Sequence, residues 1–435
     1  MRLLEQIPLL NFPAPLPKTL LEVHQCFDVP AVTDVRAAVR AAVEHLLPQI
    51  KAGDTVAVGV GSRGIAHIGD LTKYTVERLI EHGAQPFVVP AMGSHGGATA
   101  EGQLEMLNGL GVTEAFIGCP MRSTMDTKQI GQIPDGPALY QGVDSIAADH
   151  AILISRIKPH TDFRGPLESG PSKMCVIGWG KIQGAQIMHS YAGPGFRRYL
   201  ADVARIYEAN TNFRGCVAVV ENAYDEPGEI FGLTAAEVGA KPEEDAQIRA
   251  KKYMASIPFE HVDVLVVKEL GKNISGAGMD PNILGRLLVI RERETYGPPD
   301  VGTIAVLDLT EESHGNAAGL GLANVTTLRL LNKIDFFATV TNGVTSGTFG
   351  PMRGGIPWTM INDERAIQVA VRTCGQPWAT SKIVFIDNTL RLDRFWISPS
   401  LRDEAAAHSR LTLKGDVPLA FDDGFIQSPW KLKRE

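Results

Sequence analysis

The sequence predicts an α/β protein of two domains with mostly parallel, Rossmann-like sheets and the active site in the cleft between them. Three observations carry this. Short β-branched runs alternate with amphipathic stretches through 55–222, the rhythm restarts at 262, and 435 residues that are 44% hydrophobic and 21% charged can bury two such cores. The domains are read as 1–255 and 256–400, with the tail 400–435, rich in Pro, Asp and aromatics, a candidate to rejoin the first.

In the first domain, TVAVGVG (55–61) reads as a strand, IAHIGDLTKYTVERLIEHG (65–83) as the helix after it, and QPFVVPAMG (85–93) as the next strand. A helix is expected from about Thr99 to Leu110, then a strand in DHAILISRI (149–157), a long irregular loop, a helix over 195–210 and a strand in GCVAVVEN (215–222). A polar, Glu/Lys-rich helix near 235–256 leads to the second series. There VDVLVVKEL (262–270), TIAVLDLT (303–310), FFATVTNG (336–343) and KIVFIDNT (382–389) read as strands, with helices over 323–334 and 364–375.

Composition removes several function classes. A net charge of -7 and a pI near 5.9 give no electrostatic footprint for nucleic acid or an anionic membrane surface. The opening MRLLEQIPLLNFPAPLPKTL is interrupted by Glu5 and prolines, so it reads as neither signal peptide nor spanning helix, and the protein is expected to be cytoplasmic. The five cysteines, Cys26, Cys119, Cys175, Cys216 and Cys374, are odd in number and form no C-x-x-C pair, which argues for reduced structural thiols.

The chemistry concentrates in glycine-rich turns. In parallel sheets ligands gather beyond the carboxyl ends of strands, and both GSHGG, with His95, and KPH, with His160, directly follow strand-like runs. The segment Gly59-Val-Gly-Ser-Arg-Gly64 matches G-x-G-x-x-G after a strand, but the next strand ends in VVPAMGSH with no carboxylate to hold a ribose, so a dinucleotide site is not indicated. What remains is Arg63 on a glycine-rich turn, a guanidinium able to grip a carboxylate in bidentate fashion. Downstream, Lys173 ends the loop FRGPLESGPSK and His189 follows in QIMHSYAG. Three histidines, an arginine and a loop lysine suit a site that moves protons and binds a late transition metal through imidazole. No H-E-x-x-H pair marks a hydrolytic zinc centre, and no G-x-S-x-G elbow marks a serine hydrolase.

At these residues the chain resembles the nickel-pincer lactate racemase family. That family places a histidine in a Gly-flanked turn after an early strand, then Pro-His, then a Gly/Ser-rich loop ending in lysine, then a histidine sixteen residues further on. Here these fall on His95, on Pro159 and His160, on Lys173 and on His189, with Arg63 as the early substrate-facing arginine. The resemblance is specific over 59–99 and 150–195. It implies a nickel-pincer nucleotide, a pyridinium mononucleotide whose two sulfur arms and one carbon hold nickel, anchored covalently at Lys173 and ligated by His189. Ser62, Asp280, Asn282 and Trp358 would also contact this cofactor, and cofactor-maturation enzymes become expected partners. His95 and His160 would be the acid/base pair on opposite faces of a 2-hydroxy acid, whose α-hydrogen is too weakly acidic for simple enolisation. The implied activity is an isomerase reaction, racemisation or epimerisation by hydride abstraction and return. A homo-oligomer is compatible with this reading.

The chain also departs from the family. FRGPLESGPSK replaces the family's shorter loop ending, and Leu284, Gly285 and Leu288 stand where Tyr, Gln and Lys belong in its D-x-N-x-Y-Q-x-x-K segment, although Asp280 and Asn282 are kept. Lys272 or Arg286 would then supply the missing cation, with His314 and Trp358 as wall residues, and the substrate is expected to be a 2-hydroxy acid other than lactate. The alternatives are a non-catalytic cofactor-binding or sensory protein, and a divalent-metal hydrolase or lyase in the same crevice.

Overall fold

The computed structural model describes residues 3–62, 64–290 and 299–430. The chain forms two compact units, 29–254 on the one hand and 1–28 with 255–435 on the other.

The 29–254 unit is built on a five-stranded sheet in the order Gln85–Pro90, Thr55–Val60, His150–Arg156, Phe213–Glu221, Pro227–Thr234. The first four strands are parallel and the fifth closes an antiparallel hairpin. Both faces are covered, which is why the strands read as near-continuous apolar runs. Val56, Val58, Val60, Ile152 and Ile154 pack with Val39, Val43, Leu71 and Val76 of the helices Val35–Glu44 and Ile68–Glu81. Ala57 and Leu153 point the other way, to Phe196, Leu200, Val203 and Tyr207 of the helix Ala192–Asn210.

The second unit carries an eight-stranded sheet in the order Trp358–Met360, Val325–Thr327, Asp300–Leu309, His261–Leu270, Ile383–Ile386, Arg394–Ile397, Thr19–Gln25, Leu411–Pro418. The first five strands are parallel and the last three extend the sheet antiparallel. A two-domain α/β architecture with mostly parallel sheets is therefore what the chain adopts.

Four local expectations change. The long irregular loop expected after 157 carries the helices Pro171–Met174 and Lys181–Ser190. Residues 1–28 and the tail 400–435 belong to the second unit, not the first, because the Thr19–Gln25 strand lies between Arg394–Ile397 and Leu411–Pro418 and buries Leu20, Leu21 and Val23. The tail is then locked down by Trp430, whose ring meets Phe385 at 5.7 Å and Trp396 at 5.6 Å. FFATVTNG, expected as a strand, is the helix Phe336–Thr345, because the Asp335 carboxylate caps it by accepting the Ala338 N–H at 2.9 Å. The expected helix over 323–334 begins as the strand Val325–Thr327, and Thr327 then caps the short helix Leu328–Asn332.

Candidate active site

The strands Gln85–Pro90, Thr55–Val60 and His150–Arg156 run parallel, so the segments that follow Pro90, Val60 and Arg156 leave from one edge of the sheet. Ser62, His95 and His160 are carried there, and Arg63 lies outside the described residues. Ser62 Oγ and His95 Nδ1 are hydrogen-bonded. A Cβ on Gly61 would sit 3.4 Å from Met174 Cε, and one on Gly93 would sit 2.9 Å from Ala185 Cβ. The turns bearing Ser62 and His95 thus pack directly on the helices Pro171–Met174 and Lys181–Ser190, which bear Lys173 and His189.

The exposed His95 imidazole stands on a turn held from beneath. Gly96 takes φ +64, and a Cβ there would fall 2.5 Å from the Gly102 carbonyl carbon, so only glycine fits. Buried Gln103 donates to Met92 O at 3.1 Å and Gly93 O at 3.0 Å. Lys181 Nζ in turn donates to Gln103 Oε1 at 3.1 Å and Pro90 O at 2.7 Å. Burial pulls the Lys181 amine down to about 8 from its ordinary 10.5. Neither Gln103 nor Lys181 is legible as a site residue, since Gln103 reads in sequence as an ordinary polar helix position and Lys181 falls in the stretch expected to be an irregular loop.

His160 is buried, and its loop is organised by the buried Glu168 carboxylate, which accepts the His160 N–H at 2.8 Å and the Gly165 N–H at 3.1 Å. Lys251 Nζ, 2.6 Å from Glu168, balances its charge. The His160 ring stacks on Phe163 at 4.3 Å, and Phe163 stacks on Phe196 at 5.2 Å. Its Nδ1 accepts the Asp162 N–H at 3.0 Å, and its Nε2 lies 2.5 Å from Lys173 Nζ. Lys173 is set by its neighbour: Ser172 donates its N–H at 3.2 Å and its hydroxyl at 2.9 Å to Glu243 Oε1, and the Gly239 N–H donates to Oε2 at 2.7 Å. Burial pushes Glu243 up to about 6 against those donors. Glu243 was also missed, hidden in a helix that reads as a solvated Glu/Lys face.

A single π-helical turn, Cys175–Trp179, joins the Lys173 helix to the His189 helix, and Cys175 within it is buried, its thiol pushed well above the ordinary value. The His189 ring meets the edge of Phe196 at 5.3 Å. Its Nδ1 is buried and has no hydrogen-bond partner among the described residues. Burial pushes this imidazole down to about 4, so it is neutral at neutral pH, the form in which histidine ligates metals. The first glycine of the G-x-G-x-x-G match has a packing explanation: a Cβ on Gly59 would sit 2.6 Å from the Trp179 ring, and the next helix opens at Ile68 rather than at Gly64.

In the second unit the predicted residues divide between two edges of the parallel strands. Lys272 follows Leu270, donates its N–H to Ser313 Oγ at 3.0 Å and its ammonium to Gly276 O at 2.7 Å, and His314 lies next to Ser313. Asp280 donates its N–H to Thr389 Oγ1 at 2.9 Å, and its carboxylate accepts from the Asn282 N–H at 2.9 Å and from Asn282 Nδ2 at 2.6 Å. These are all beyond carboxyl ends. Arg286 instead donates to Leu322 O at 2.9 Å, Asn324 Oδ1 at 2.8 Å, and Val301 O and Gly302 O at 3.1 Å each, at the start of the Asp300–Leu309 strand. Trp358 opens its own strand and is 64% exposed. The Arg286 backbone stays beside the Asp280 segment, its N–H donating to Pro281 O at 3.3 Å, and only the guanidinium reaches back toward the start of the Asp300–Leu309 strand. The structure therefore commits the Arg286 guanidinium to carbonyls near the strand starts, and Trp358, level with Ala305 through Val325, lies part-way along the strands rather than beyond their carboxyl ends.

Among the described residues no group of three or more His, Cys, Asp or Glu side chains is arranged to hold a metal ion. The donor that stands out is the single His189 imidazole. No protein-family model matches the chain, and no curated protein matches it.

Proposed function

We propose that the protein is a cytoplasmic racemase or epimerase acting on a 2-hydroxy acid with a nickel-pincer nucleotide attached at Lys173. One observation carries the reading. A neutral imidazole whose buried Nδ1 has no described hydrogen-bond partner, His189, shares the helical segment 171–190 with an amine seated on an imidazole, Lys173 with His160. These residues fit the group: it brings its own sulfur and carbon donors to the metal, so a single protein ligand suffices, and it needs an amine for its anchor. Bound there, it would supply the hydride acceptor and donor that a 2-hydroxy acid requires.

The rest is the work of this chain. Lys173 holds the group through Nζ, and His189 offers one nitrogen, its ring angle set by Phe196. His95 and His160 hold and move the hydroxyl proton, one for each hand of the substrate. Their surroundings differ, since His95 is exposed beside Ser62 and His160 is buried on Phe163, so the two directions of reaction meet different dielectric environments.

Intact-mass and metal measurements on protein made with and without cofactor-maturation enzymes test this directly. The matured wild type should carry an adduct and nickel, Lys173→Ala should carry neither, and His189→Ala should keep the adduct while losing nickel. The loaded enzyme is then given α-deuterated 2-hydroxy acids. Deuterium retained through inversion supports the proposal, and washout to solvent would replace it with proton-transfer racemisation. An adduct without turnover of any 2-hydroxy acid would favour the sensory alternative.

A further inference from the structure

The hydrogen bonds at His160 constrain where one proton lies. A neutral imidazole carries a single N–H, and His160 Nδ1 accepts the Asp162 N–H at 3.0 Å, so the ring proton is on Nε2. Nε2 is 2.5 Å from Lys173 Nζ, a separation that requires one proton between two nitrogens. An ammonium has three donors and no lone pair, so it cannot accept the Nε2–H. The ring cannot readily turn to escape this, because it is buried and stacked at 4.3 Å on Phe163.

We infer that Lys173 stands as a neutral amine in the unmodified chain, a nucleophile that takes an acyl group from an activated carboxyl donor, and that His160 is the positioning residue that keeps it in that form. In the step itself the Nζ lone pair attacks the acyl carbon, the C–N bond forms and the bond to the leaving oxygen breaks. One amine proton departs with that oxygen, so no other reactant is needed. The inference deepens the proposal that Lys173 is a covalent anchor and rests on it only for the identity of the natural donor. Among the described residues, Asp162, His189 and Arg164 face the pair, the Arg164 guanidinium donating to His160 O at 3.4 Å, and Glu243 lies behind Ser172. The Asp162 carboxylate, 3.8 Å from Nδ1, would have to close on the ring to accept from the other tautomer, the one with an Nε2 lone pair that base chemistry requires after the amine has been consumed.

The test uses full-length protein made without maturation enzymes, N-hydroxysuccinimidyl acetate as the acyl probe, and peptide mass mapping between pH 6 and 10. Exposed Lys51 and Lys414 serve as internal references. An ordinary lysine near pKa 10.4 is about one part in 10³ neutral at pH 7, so Lys173 should label on the order of 10–100-fold faster than the references there despite being half-buried. Its labelling should also level off at lower pH. His160→Gln offers an acceptor to an ammonium, and should reduce Lys173 labelling at pH 7 by about tenfold or more and move its profile toward that of the references. Imidazole ¹⁵N shifts, which do not depend on reagent access, should show Nδ1 unprotonated and Nε2 protonated in the wild type. Lys173 labelling no faster than Lys51 and Lys414, or fast labelling that survives His160→Gln, or a ring proton on Nδ1, would each overturn the inference. A reactive Lys173 in a protein that never gains a cofactor adduct would leave this inference standing and remove the racemase reading.

Discussion

The two parallel sheets end in carboxyl edges of opposite character. In the eight-stranded sheet the charges around the end of the Asp300–Leu309 strand are paired with one another. Arg329 Nη2 lies 2.6 Å from Asp363 Oδ1 and its Nε 3.3 Å from Asp308, while Lys333 lies 3.1 Å from Asp308 and 3.0 Å from Glu311. Burial pushes the Asp363 carboxyl up, and the Arg329 guanidinium pulls it back toward ionisation. In the five-stranded sheet the pairing is displaced one layer below. Glu168, Glu243, Gln103 and Lys181 are satisfied under the loops, while at the edge itself an amine rests on an imidazole and a second imidazole keeps a buried nitrogen without a described partner. The difference teaches that one edge answers its buried charges locally, while the other carries a local penalty at the edge and places its compensating groups one layer beneath.

The comparison can be broken most sharply at Arg329. Arg329→Met leaves Asp363 buried with a charge and no guanidinium, and should destabilise the protein by about 3–5 kcal/mol in urea unfolding. A loss below about 1 kcal/mol would mean that the paired edge is no more than a screened surface network.

Glu243 gives a smaller effect with a definite sign. Its folded value of about 6 stands above the ordinary 4.5, so the stability its proton contributes is fully present below pH 4.5 and is lost as pH rises through 6. The shift corresponds to about 2 kcal/mol, and Glu243→Gln should gain about that much on the wild type between pH 4.5 and 7. An equal wild-type-to-variant gap at both pH values would show that Glu243 is not desolvated beneath Lys173.

His189 should behave in the opposite sense. Its folded value of about 4 lies below the ordinary 6.5, so its contribution is present above pH 6.5 and lost as pH falls through 4. His189→Leu removes a buried polar atom that lacks a partner, and should leave the unloaded protein as stable as the wild type or up to about 1 kcal/mol more stable at pH 7. A loss of several kcal/mol would make His189 a packed core histidine rather than a residue kept for a ligand.

The elements that could be read along the chain were those with a local signal. The strands around 55–60, 85–90 and 150–156 show as β-branched runs, and the turns after them put His95 and His160 at one sheet edge because parallel strands share a direction. The helix Phe336–Thr345 reads as a strand from its β-branched content, whereas the Asp335 cap at its start makes it a helix.

What the sequence by itself determined is the α/β class and the histidines His95 and His160 in turns after strands, because periodicity, turn chemistry and side-chain type act over a few neighbouring residues, whereas Lys173 and His189 proved to lie in helices. The tertiary structure alone decided which charges would be buried and what would answer them. Lys181 is fully buried because Pro90 and Gln103 meet it, Arg286 is spent on carbonyls at an amino edge, and Thr19–Gln25 finds Leu411–Pro418 from nearly the other end of the chain. Burial and pairing across such separations depend on the whole packed chain, and no local window of sequence contains them.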